Sequence, residues 1–75
     1  MAEVDDLMVN VMMRGEDDAE IAVLRLIKLV ESGELSDKEH KLVNKAVQRR
    51  LEKVTSGTDL YDFLRRLSKL VSPNT

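Results

Sequence analysis

Apolar residues in this chain recur at three- and four-residue intervals through four segments, and nowhere do they alternate convincingly at period two. That spacing commits the chain to helices, because every third or fourth residue returns to one helical face while strands repeat every second residue. The reading is an all-α fold, a single small domain over residues 1–75, with four short helices and a central apolar second helix. Residues 1–2 and 73–75 are expected to fray.

The first helix is expected over about Glu3–Met13. Val4, Leu7, Met8, Val11 and Met12 form one stripe, with Asp5 and Asp6 near the N-terminus where the helix dipole favours acids. Gly15 stops it. The second is expected over about Asp18–Ser32, with Asp17 and Glu20 resembling a capping box. Ile21, Val23, Leu24, Leu26, Ile27, Leu29 and Val30 wrap more than half its circumference, which predicts burial on several sides or an oligomer interface. Gly33 ends it.

The third helix, about Asp37–Val54, has the strongest start signal. Ser36 can cap it while Glu39 reaches back, and Ser56-Gly57 closes it. The fourth opens with Thr58 as cap and Asp59 and Asp62 in its first turn. Leu60, Phe63, Leu64, Leu67, Leu70 and Val71 follow as a stripe until Pro73 forbids continuation. The connections are short, which predicts sequential antiparallel neighbours.

Seventy-five residues bury only roughly 60% of their unfolded surface, so a partner or a homodimer is expected to add stability. The absence of cysteine removes disulfides, thiolate metal sites and a thiol nucleophile. No apolar run reaches the ~20 residues of a membrane span and the N-terminus is acidic, so the expectation is a cytoplasmic protein with no membrane contact. With one histidine, His40, no Gly-rich phosphate loop and no His-Glu-x-x-His spacing, the chain reads as a non-enzyme without cofactors. His40 falls at the edge of the third helix's apolar face, where a half-wet boundary histidine is the plain reading. The Asp17-Asp18 pair is explained by a helix N-terminus rather than a cation site. The Met8, Met12 and Met13 group is core filler or a pliable contact surface.

Net charge is only −2, but residues 1–20 carry seven acids against one base and residues 38–53 six bases against two acids. Lys38, Lys41, Lys45, Arg49 and Lys53 fall on one strip of the third helix, interrupted by Glu52. The strip is either a solvated face or a ridge for an acidic partner or DNA phosphates. It lacks aromatic residues for base stacking, and could supply affinity more readily than sequence specificity. Arg50 sits in the apolar arc of Leu42, Val43, Ala46, Val47 and Val54. A charge there must pair, snorkel or end in an interface; an internal acid such as Asp62 is the expected partner and a carboxylate across an interface the alternative. The candidate contact residues are therefore Lys38, Lys41, Lys45, Gln48, Arg49, Arg50 and Lys53.

The segment Glu34-Leu35-Ser36-Asp37-Lys38-Glu39, followed by Ala46-Val47-Gln48-Arg49-Arg50-Leu51, Val54-Thr55 and Leu60-Tyr61-Asp62, resembles the Hha/YmoA family of small gene-expression modulators that bind the nucleoid protein H-NS. The resemblance spans a little over a third of the chain. It implies a helical adaptor that docks on a DNA-binding protein, with an arginine at the position of Arg50. The family carries an aspartate and a histidine where Gln48 and Arg49 stand, and a C-terminal tryptophan segment where Leu64 to Val71 stand.

The leading functional expectation is thus a binding module that modulates gene expression or nucleoid structure by docking on a DNA-binding protein such as H-NS, with at most weak, non-specific DNA contact. One rival is a phage- or plasmid-type helical inhibitor of a host enzyme. Another is a helix-turn-helix regulator reading DNA with the third helix. Against it, the second helix is longer than usual for that motif and the net charge is negative, while the Ser32-Gly33-Glu34-Leu35 turn suits it only loosely.

Overall fold

The computed structural model describes residues 2–72, and these form four helices: α1 (Ala2–Met13), α2 (Glu16–Glu31), α3 (Asp37–Leu51) and α4 (Asp59–Val71). The chain is a small all-α domain. Expectations for residues 1 and 73–75, including the stop at Pro73, lie outside the described residues; residue 2 already belongs to α1.

Each helix packs on two others, in the cyclic order α1–α2–α4–α3 and back to α1. The body measures 29 × 29 × 18 Å, its short dimension matching two layers of helices about 10 Å thick. Sequential pairing holds for α1 with α2 and for α3 with α4. It does not hold for α2 and α3, which lie diagonally across the ring. The link between them explains the departure. Gly33, at φ 77°, stops α2 in a Schellman turn: its N–H donates to the Val30 carbonyl and the Glu34 N–H to the Leu29 carbonyl, both at 3.1 Å. Leu35 follows directly and is buried in the same core cluster, so the link itself contributes a core residue between the two helices.

The core is the intersection of the four stripes. Val4 and Val11 of α1, Val23 and Leu26 of α2, Val43 and Val47 of α3, and Leu60, Leu64 and Leu67 of α4 are all buried. No polar or charged residue is buried among the described residues. α2 contributes six buried residues, the largest share. Its wide apolar belt is nevertheless split, because Ile21 (66% exposed) and Leu24 (40%) point outward. With only two helical neighbours, α1 and α4, the helix has no third wall to cover them.

Two helix ends differ from expectation. α2 starts at Glu16, so its N-cap is Gly15, which makes no side-chain capping bond, and Asp17 lies within the first turn instead of before it. Glu16, Asp17 and Asp18 together supply negative charge to that end, which removes the need for a capping side chain. α3 closes at Leu51 rather than Val54, and Val54 packs on the core from the connection that follows. Ser36 and Thr58 cap as expected. The Glu39 N–H donates to Ser36 Oγ at 3.2 Å while Glu39 Oε1 accepts the Ser36 N–H at 2.9 Å, and Thr58 Oγ1 accepts the Tyr61 N–H at 3.2 Å.

Candidate basic interface

The outward strip of α3 is held by burial of the opposite side. Val43, Ala46 and Val47 face the core, so Lys41 and Lys45 must point to solvent, as do Lys38 and Arg49. Lys53, also exposed, extends the line just beyond the helix end. Among the described residues the ion pair present joins Arg25 Nε to Glu3 Oε2 at 3.0 Å, across α1 and α2. None of the five ridge cations takes part in one.

Gln48 sits exposed at the edge of this strip and is tied toward α4. Its Nε2 donates to Ser68 Oγ at 2.8 Å and to Asn44 Oδ1 at 3.3 Å, so it fastens α3 to α4. The position where the Hha/YmoA pattern has an aspartate is thus an interhelical tie in this chain.

Arg50 departs furthest from expectation. Its partner is not an acid, and Asp62 is not involved. Arg50 Nη1 donates to the Arg14 carbonyl at 2.8 Å and lies within reach of the Val11 and Met12 carbonyls at 3.3 and 3.4 Å. These groups close the C-terminus of α1, where unpaired carbonyls concentrate the negative end of the helix dipole and where the last turn contains no base of its own. The half-buried guanidinium therefore has an electrostatic partner made of backbone. Neither a carboxylate search nor helical periodicity could have located it. The beginning of a clue was available: a cation in the apolar arc and a neighbouring helix ending without one.

Arg49 and Arg50, with Lys53, Glu52, Met12 and Met13, line a cleft between the ends of α1 and α3. Met13 is 77% exposed while Met12 is half-buried, so the methionine group divides between packing and surface.

Arg65, Arg66 and Lys69 on α4 join the candidate residues only in the structure, because the apolar stripe is the dominant signal in that segment of the sequence. All three are exposed. Arg65 lies over the Tyr61 ring at 6.0 Å and donates from Nη1 to the Tyr61 hydroxyl at 3.4 Å. Asp62, Arg65, Arg66 and Lys69 border one surface depression with Tyr61. Their three- and four-residue spacing opposite the apolar stripe was the available signal.

His40 is half-buried, and its Nε2 is buried without a hydrogen-bond partner among the described residues. It borders a shallow depression with Asp37, Lys41, Leu70, Val71 and Ser72. Glu39, one residue earlier, has its carboxyl held below the ordinary glutamate range, chiefly by the Ser36 backbone N–H it accepts; desolvation opposes this and the Ser36 hydroxyl reinforces it.

Charge is therefore sorted by architecture. Residues 1–37, including α1 and α2, carry ten acids and three bases, whereas residues 38–75, including nearly all of α3 and α4, carry nine bases and four acids. Since α1 packs on α2 and α3 on α4, the molecule has an acidic side and a basic side. No described helix is long and apolar enough to cross a membrane.

The chain matches no protein-family model, no curated protein and no solved structure.

Proposed function

We infer that this chain is a non-enzymatic helical binding module that docks through the basic side of α3 on a DNA-binding protein and so modulates gene expression or nucleoid organisation. One observation supports it above the others: the ridge is maintained against the stability of its own helix. Lys41 and Lys45, and Lys45 and Arg49, are like charges four residues apart, each pair costing about 0.2–0.5 kcal/mol in an isolated helix. Lys38 lies in the first turn, at the wrong end of the dipole. A merely solvated face would mix signs, as most exposed helix faces do. An acidic docking surface on another protein explains the run of basic charge from Lys38 to Arg49, which Asp37 and Glu52 bracket.

Partner docking is favoured over direct DNA reading by the placement of α2 and α3. In a helix-turn-helix, the helix before the recognition helix packs against it and crosses the DNA backbone. Here α2 and α3 lie diagonally apart. Resemblance to the Hha/YmoA pattern directs the choice of first partner to H-NS. Purified H-NS and labelled duplexes of varied sequence, titrated separately at physiological salt, provide the test. The reading expects saturable H-NS binding that Lys45→Glu/Arg49→Glu abolishes, with only weak, salt-sensitive duplex binding. Sequence-specific duplex binding tighter than about 10⁻⁸ M would replace it with a DNA-reading regulator.

A further inference from the structure

We propose that a second copy of this chain docks head-to-tail on the first, the outer face of α2 in one copy seating on the outer face of α3 in the next. Each face has an apolar anchor in a charged setting, and the settings are opposite in sign. On α2, Ile21 and Leu24 stand exposed three residues apart, with Asp17 and Asp18 four and three residues before Ile21. Glu16 and Glu20 extend the negative charge, Arg25 on the same side is already paired with Glu3, and the exposed Lys28, four residues after Leu24, confines the acidic setting to the N-terminal half of the face. On α3, Leu42 is 42% exposed, with Lys38 four residues before it and Lys45 and Arg49 three and seven after.

Ring geometry prevents one molecule from matching these faces itself. α2 and α3 occupy diagonal corners, so their outer faces point away from each other. A contact between two different patches is heterologous, and it leaves one acidic and one basic face free at the ends of every assembly. A two-fold dimer that paired α2 with α3 twice would need both faces on one side of the molecule, and the ring places them on opposite sides. The apolar anchors are few and the charges exposed, so the contact belongs to the weak, transient class of interfaces. It also covers the ridge assigned above to partner docking, so self-association and partner binding exclude each other. The inference itself rests on the two faces and not on the identity of that partner.

Sedimentation velocity from about 10 μM to about 1 mM protein, which spans weak affinities, reads it directly. Wild type is expected to grow with concentration beyond a dimer. Raising ionic strength from about 0.01 M to about 1 M shortens the screening length from ~30 to ~3 Å and should lower the association constant roughly tenfold or more. Ile21→Lys disables only the acidic face and Lys45→Glu/Arg49→Glu only the basic one. Both alter exposed side chains, and their helical spectra should match wild type. Each variant alone should be monomeric. An equimolar mixture should form a 1:1 dimer and nothing larger, because one intact face remains on each partner. Wild type that stays monomeric throughout, either variant that still self-associates, or a mixture that fails to pair overturns the proposal. H-NS binding distinguishes the two readings: Ile21→Lys leaves the ridge intact and should bind H-NS at least as well as wild type.

Discussion

The acidic half and the basic half of this molecule use charge differently. In the α1/α2 half the carboxylates sit where the fold gains from them. Glu3 and Asp5 lie in the first turn of α1 and Glu16, Asp17 and Asp18 in that of α2, beside unpaired N–H groups, and Glu3 also holds Arg25. In the α3/α4 half Arg49, Arg50 and Lys69 stand in the last turns of their helices, and Arg50 alone of these reaches another helix's backbone. Arg50 closes the end of α1, while Lys38, Lys41 and Lys45 meet neither a helix C-terminus nor a carboxylate among the described residues. A charge placed at the matching end of a helix is explained by folding. A line of one sign along a helix's middle is not, and that is where function is sought.

The largest expected effect concerns what the halves share. Leu26 of α2 and Leu64 of α4 are both fully buried in a common core, and α2–α4 and α1–α3 contacts cross between halves. Leu26→Ala and Leu64→Ala should each lose about 2–5 kcal/mol of stability in denaturant unfolding. Fluorescence at Tyr61 and the far-ultraviolet helical signal should report one coincident transition. Separate transitions would mean that the halves fold independently and that only their charge was being compared.

Next comes the one cation that crosses from the basic half to serve the acidic one. Arg50→Ala leaves the Arg14 carbonyl, and those of Val11 and Met12, without their charged donor, and should cost about 1.5–3 kcal/mol. Arg49→Ala, one residue away on the exposed strip, should change stability by less than about 0.5 kcal/mol. Equal costs for the two would erase the distinction between structural and available arginines. Thermal unfolding of the two variants decides it.

The legible part of the fold was what repeats along one helix. The 3.6-residue stripes, the Ser36–Glu39 box and the Thr58 cap are local, and each appears where spacing and side-chain chemistry put it. What was not legible depended on which helix lies beside which. Local periodicity sees neither the diagonal placement of α2 and α3, which depends on how separate helices pack, nor the Arg50 cap, which joins residues 36 positions apart. The start of α2 was missed for another reason. Glycine gives no side-chain signal at an N-cap, so Asp17 drew the cap two residues inward. For the site, Lys38, Lys41, Lys45, Arg49 and Lys53 were readable as a strip, whereas Gln48 looked like part of it until Ser68 supplied a partner.

A smaller effect follows from the capping box. Glu39 has a folded-state pKa below its ordinary value because it accepts the Ser36 N–H, so its contribution to stability is present above its unfolded pKa. That contribution falls away as pH drops through the lowered folded pKa. Glu39→Gln keeps an acceptor at the same position and should flatten this acidic-range slope, with little change near neutrality. An unchanged slope in urea unfolding across the acid range would remove Glu39 from the account. Ser36→Ala should cost about 1 kcal/mol near neutrality.

The most direct test of the difference between the halves neutralises mid-helix bases and first-turn acids separately and compares unfolding free energies. Lys38→Gln/Lys41→Gln/Lys45→Gln removes like-charge pairs and a cation at the wrong helix end. It is predicted to leave stability unchanged or raise it by about 0.5–1 kcal/mol. Asp17→Asn/Asp18→Asn removes charge favourable to the α2 dipole and is predicted to lower stability by about 0.5–2 kcal/mol. If instead the lysine variant is the destabilised one and the aspartate variant is not, the ridge serves the fold and its assignment as a docking surface is contradicted.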